Sequence, residues 1–194
     1  MVRGGAYVQR LFDLLNFLLL RALVITDIDA VRPNAQGHRE ACPVADGQFT
    51  SNGCIKAWYH NDITPAALLA KTAEEKASNG RRIAYQVPED NAGPCGRSFE
   101  DAFILANADT FALEAGDRAE RAYALAGKQK KSSFALEHAI LNTDWQVPRY
   151  IAEGLRWLAH GNPALVGVPA ELAVEIVAQA AGVEIAEDGG AGNA

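Results

Sequence analysis

Residues 22–31 read ALVITDIDAV, and the arrangement of the rest of the chain follows from them. Leu23, Val24 and Ile25 form a short unbroken apolar run, the pattern of a strand covered on both faces. Asp27 and Asp29 follow where such a strand should end. In an extended chain, residues two apart point to the same side. The two carboxylates are therefore expected to aim together at the crevice beyond the carboxyl end of a central strand, where open α/β sheets place ligands. Two carboxylates crowded there repel each other unless a cation sits between them. Hard oxygen ligands favour Mg²⁺ or Mn²⁺ over zinc. The structural alternative is a pair of solvated loop acids or local caps.

Upstream, residues 6–19 (AYVQRLFDLLNFLL) suit an amphipathic helix with Leu11, Leu14, Leu15 and Leu18 on one stripe. Downstream, residues 33–53 are rich in Gly, Pro, Asn and Asp and read as a long irregular connection. A helix from Cys54 to Tyr59 is expected next, with Thr50, Ser51 or Asn52 as its cap. Pro65 opens a helix through Lys76, ended by Asn79 and Gly80. RRIAYQVPE, residues 81–89, is the second clear strand, stopped by Pro88. RSFEDAFILAN begins like a helix, and further helices are expected over 116–126, 132–142, 148–159 and 169–182. The tail EDGGAGNA has a disordered composition. Strands alternating with helices imply an α/β fold with a mostly parallel central sheet flanked by helices, and additional C-terminal helices.

The chain has 194 residues and a formal charge of -6. It is long enough to bury a core without disulfide staples. The negative charge argues against a free-standing DNA-coating protein, which carries a basic excess. A centre that gathers carboxylates around cations is locally acidic by construction and is not excluded. Cys42, Cys54 and Cys95 are odd in number and irregularly spaced, which suits a reducing, cytoplasmic setting. The apolar run from Leu11 to Ile25 is broken by Asp13 and Arg21, so neither a membrane span nor a signal peptide is expected.

A second cluster lies at Ser98, Glu100 and Asp101. Ser98 reads as a helix N-cap, and the acids suit the positive end of the helix dipole. Ser98 and Glu100 can equally face a metal, because a cap residue is not yet helical. Arg97 reads as a phosphate ligand or, preferably, as a structural partner of Glu100 or Asp101. Lys128, Lys130 and Lys131 precede another helix, either as a solvated basic loop or as a source of charge beside a scissile phosphate. His38, Cys42, Cys54 and His60 offer four zinc-ligand types, but at spacings unlike a standard finger. Trp58, Trp145 and Trp157 read as core or interface anchors.

LVITDIDAV, TSNGCIKAW, RIAYQVPE, GRSFEDAFILAN and KKSSFALE, in this order, resemble the C-terminal TOPRIM domain of OLD (overcoming lysogenization defect) nucleases. The resemblance covers roughly residues 4–160. It implies a TOPRIM, Rossmann-like catalytic domain over 1–160, a helical extension over 161–186 and a tail over 187–194. It also implies two-metal hydrolysis of DNA phosphodiesters with two Mg²⁺ or Mn²⁺ ions. Carried over, the D-x-D pair is Asp27 and Asp29, the S-x-E element is Ser98 and Glu100, and the lysine is Lys131 or, less directly, Lys130. Asp27, Asp29, Ser98 and Glu100 would hold metal, with Lys131, Asp27 and Glu100 as the catalytic set. The family's first-strand glutamate belongs before the segment resembling VRGGAY and is expected upstream of this sequence. An ATP-using ABC-type domain, also upstream, and a homodimer are implied as partners, alongside DNA. Nothing in these residues resembles a P-loop.

Two rivals share the same residues. DIDAV fits the nucleophile motif of a haloacid-dehalogenase-like phosphatase, with Asp27 attacking phosphorus, although no trailing acidic pair for Mg²⁺ is evident. A degenerate module that docks DNA or subunits without cutting is the non-enzymatic alternative.

Overall fold

A computed structural model describes residues 5–60, 63–114, 116–128, 134, 136–138 and 144–160. The chain divides into two units, Met1–Gly154 and Leu155–Ala194, and both sheets lie in the first. Strand β1 (Ala22–Ile25) forms where the apolar run predicts it. It pairs in parallel with β6 (Arg81–Ala84), Ala22 opposite Arg81 and Ile25 opposite Ala84. A two-residue strand β5 (Ala77–Ser78) adds to the other edge of β6 in the antiparallel sense.

The fold is mixed α/β, but β1–β6 is the one parallel pair among the described residues. The segment expected to be irregular instead carries a second sheet of β2 (Ala30–Pro33), β3 (Arg39–Ala41) and β4 (Phe49–Thr50), antiparallel throughout in the order β3-β2-β4. Its turn residues were legible as turns. The strands between them are too short, and β3 too exposed, to show alternation.

The Asn79-Gly80 pair is also corrected. It ends no helix: α3 (Pro65–Leu69) stops well before it. Asn79 and Gly80 adopt φ of 51° and 72° and join β5 to β6. Two consecutive positive φ values suit the tight hairpin turn whose twist matches the flanking strands, and Asn-Gly is its preferred pair.

The N-terminal segment winds as a 3-10 helix (Gly5–Leu11) before α1 (Phe12–Phe17). Three residues per turn rotate side chains away from a 3.6-residue stripe. Leu14 and Leu18 are accordingly about half exposed. Val8 and Phe12 take their place against the core, with Phe12 meeting Trp58 edge-on at 5.6 Å.

Helix α2 (Gly53–Tyr59) is capped by Asn52, one of the three expected candidates, whose side-chain oxygen accepts from the N–H groups of Cys54 and Ile55. Three longer helices follow: α4 (Phe99–Ala106), α5 (Arg118–Lys128) and α6 (Arg149–His160). The main core gathers Val24, Ile28, Ile55, Leu68, Ile83 and Tyr85. A second cluster joins α4 to α5 through Phe103, Ile104, Leu113 and Ala122. Burying each large apolar side chain contributes about 1.5–3 kcal/mol. These two clusters hold the end of β1 and the start of α4 in place. Among the described residues no helix is long and apolar enough to cross a membrane. Lys130, Lys131 and the expected helix over 169–182 lie outside the described residues, as does most of that over 132–142.

Candidate functional site

The D-x-D segment is not a plain continuation of its strand. The parallel ladder runs one residue past β1, with the Thr26 N–H bonded to the Ala84 carbonyl at 3.0 Å. At the next rung the partner is a side chain: the Ile28 N–H donates to Gln86 Oε1 at 2.8 Å. Asp29 then turns into the left-handed region, φ 50°, which aspartate tolerates better than most residues. Its N–H donates to the Arg97 carbonyl at 3.2 Å, and its own carbonyl accepts from the Ser51 N–H and hydroxyl at 3.0 and 3.1 Å. Strand alternation still places Thr26 and Ile28 inward and leaves both aspartates half-buried. The simple two-apart geometry breaks at Asp29.

Each aspartate meets a buried amide. Gln86 Nε2 donates to Asp27 Oδ1 at 2.7 Å, and Asn52 Nδ2 donates to Asp29 Oδ2 at 3.3 Å. Asp29 Oδ1 also lies 3.4 Å from the Arg97 guanidinium. Arg97 Nε donates to the Ala30 carbonyl at 3.0 Å. Of the two expected partners for the Arg97 side chain, neither is the ion-pair partner found. It ties the start of α4 to the end of the D-x-D loop instead.

Ser98 occupies the N-cap position of α4 in extended conformation, yet its side chain makes no capping bond. Its hydroxyl lies 2.9 Å from Glu100 Oε2 and also contacts Asp101 Oδ1. The capping expectation is thus corrected: the helix start is held by Asp101, whose Oδ2 accepts from the Arg97 N–H at 3.0 Å. Ser98, Glu100 and Asp101 are all buried. Burial pushes the Asp101 carboxyl above its usual range, opposed by hydrogen bonds from Ser98, Arg97 and its own backbone and by the Arg97 charge.

Asp29, Arg97, Ser98, Glu100 and Asp101 line one cleft of about 400 Å³, together with Tyr123, Ala124, Ala126 and Gly127 of α5. Asp27 is not among the lining residues; its carboxylate is held by Gln86. The Tyr150 hydroxyl at the start of α6 lies 3.4 Å from Gln86 Nε2. Burial first, then the negative charges of Asp27 and, more weakly, Glu100 and Glu89 drive its ionisation upward, against the Gln86 bond. Tyr150 is seated there because the two oxygens of Glu89 accept the Arg149 N–H at 3.2 and 3.0 Å.

The donor set suits a hard divalent cation in kind, being carboxylate and hydroxyl oxygens with no thiol or imidazole. It is not drawn tight: among the described residues no three His, Cys, Asp or Glu side chains already form a cation-sized cluster. Of the residues expected from the sequence, the fold brings Asp29, Ser98 and Glu100 to one cleft; Asp27 is not among the residues that line it, and Lys131 lies outside the described residues. The zinc combination is not assembled. Cys42 and Cys54 are buried core thiols while His38 and His60 are exposed, and burial lifts Cys54 to about 11. Sequence reasoning overlooked Gln86, Tyr150 and Tyr123, and took Asn52 for a cap alone. A glutamine inside the apolar run IAYQV was the available signal, since a buried amide needs partners. No family model, no curated protein and no solved structure matches the chain.

Proposed function

We propose that this chain is the divalent-metal-dependent nuclease module of a larger OLD-type enzyme, a TOPRIM-like domain that hydrolyses DNA phosphodiester bonds by nicking or endonucleolytic cleavage. One observation carries the reading. Acidic groups from chain segments some seventy positions apart, after β1 and at the start of α4, face one cleft that also holds an arginine. Asp27, Asp29 and Glu100 would hold Mg²⁺ or Mn²⁺, with Ser98 orienting Glu100 through its hydroxyl. When bound, the two ions supply an activated water and charge neutralisation for in-line displacement. Arg97, already on the cleft wall, can exchange its Asp29 contact for a phosphate oxygen. Lys131 is assigned transition-state charge stabilisation from the resemblance alone. The ATPase partner domain, the homodimer and a cytoplasmic location belong to the same proposal.

The test is plasmid nicking by the full-length protein with Mg²⁺ or Mn²⁺, comparing Asp27→Asn and Glu100→Gln with the parent. Both variants should fold and lose nicking by at least about 100-fold, the scale of a lost electrostatic contribution to the transition state. Retained nicking in either removes that residue from the mechanism. Turnover of p-nitrophenyl phosphate by a parent that never nicks DNA would transfer Asp27 to the phosphatase role.

A further inference from the structure

The D-x-D loop is gripped on both sides by side-chain amides, and the orientation of each is fixed by chemistry. The Ile28 N–H can only donate, so the group of Gln86 facing it at 2.8 Å is the carbonyl oxygen. The –NH₂ of Gln86 is thereby turned toward Asp27 Oδ1, 2.7 Å away. Asn52 repeats the arrangement. Its oxygen accepts two donors, the N–H groups of Cys54 and Ile55 at 2.9 and 3.2 Å. Its –NH₂ is left for Thr26 Oγ1 at 2.9 Å and Asp29 Oδ2 at 3.3 Å. Both side chains belong to buried residues, Gln86 fully so and Asn52 nearly so.

We infer that Gln86 and Asn52 are positioning residues that act as a neutral clamp, presenting the Asp27 and Asp29 carboxylates to a divalent cation at a set orientation. This inference rests on the metal-dependent reading above. Neither amide adds charge of its own: the cation that pairs with Asp29 is Arg97, 3.4 Å from Oδ1, while Asn52 holds Oδ2. The anchoring of each amide to backbone N–H groups also makes the clamp rigid, because neither can rotate without stranding a buried donor. Partners that orient metal-binding side chains in this way typically govern affinity by 10–100-fold.

The two halves can be released separately. Asn52→Ser keeps an oxygen able to cap α2 but is too short to reach Asp29. Gln86→Met keeps the shape and removes the hydrogen bonds to Ile28, Asp27 and Tyr150. Thr64→Ala serves as a stability control, because Thr64 caps α3 through the Ala67 N–H and touches neither aspartate. Mn²⁺ binding to the full-length protein is measured by electron paramagnetic resonance without DNA or nucleotide, alongside thermal unfolding of each variant. The clamp predicts Mn²⁺ affinity lowered by about 10-fold or more in Asn52→Ser and Gln86→Met, and unchanged in Thr64→Ala. Variants that melt earlier but bind Mn²⁺ within twofold of the parent overturn the clamp while leaving the metal site standing. A folded parent that binds no Mn²⁺ overturns the metal-dependent reading, and the clamp with it.

Discussion

Gly96→Ala tests whether the packing of α4 is what places the acids. A β-carbon at Gly96 would land 2.5 Å from the Ala102 nitrogen, 2.8 Å from its Cα and 3.0 Å from its Cβ, where ordinary contact begins at 3.4 Å. The two nearest are backbone atoms of a buried helix and the third is an alanine Cβ, so no flexible side chain can swing aside. The helix start must retreat by about 0.9 Å, the gap between 2.5 and 3.4 Å. Gly96 does not have a left-handed φ, so the substitution adds bulk without backbone strain. Overpacking of this kind costs about 1–3 kcal/mol. Ser98, Glu100 and Asp101 ride on the displaced turn, and a misplacement near 1 Å in a catalytic group can cost about 100-fold in rate. Urea unfolding and supercoiled-plasmid nicking at saturating Mn²⁺ read the two effects. Gly93→Ala is the matched control, since its added β-carbon meets nothing closer than 3.5 Å. An unchanged unfolding midpoint in Gly96→Ala would refute the steric argument. Lost stability with nicking within twofold of the parent would show that the position of α4 does not set the chemistry.

The buried Asp101 carboxyl has its ionisation pushed up on folding, chiefly by desolvation. Its contribution to stability is therefore fully present below the ordinary carboxyl range and is lost as pH rises through the raised folded value. Asp101→Asn cannot ionise, so its stability relative to the parent should increase with pH across the acid range, and parallel urea-unfolding curves would contradict this. At the β5–β6 turn, Asn79→Ala places a β-branchless but Asx-less residue at φ 51° and should cost about 1 kcal/mol. A thermal midpoint equal to the parent's would mean that the turn relaxes to another type.

How much of this was legible depended on the length scale of each signal. The strand at Leu23–Ile25, the capped helix at Gly53 and the helix start at Phe99 each announce themselves within a few residues, and each stands where expected. Asp27 and Asp29 were legible as a pair at a strand end, whereas Ser98 and Glu100 suit a helix start equally well and were singled out through the resemblance. What was missed depends on partners distant in sequence. The second sheet has strands of two to four residues, below the length at which periodicity registers. Asn79-Gly80 was read as a helix stop because Pro65 and the apolar residues after it suggested a helix. The same dipeptide is the strongest short hairpin signal once strands flank it. The role of Ser98 could not be told from sequence, since a cap and a bridge between Glu100 and Asp101 require the same residue at the same place. Gln86 was invisible as a partner of Asp27 because nothing local links positions so far apart.

The pairing of Ala22 with Arg81 has a kinetic meaning of its own. Joining β5 to β6 closes a loop of only two residues, whereas seating β1 on β6 must first overcome the chain entropy of everything between them. High contact order of this kind slows folding. The hairpin can form from local contacts alone, whereas the D-x-D end of the cleft depends on the long-range seating of β1 on β6.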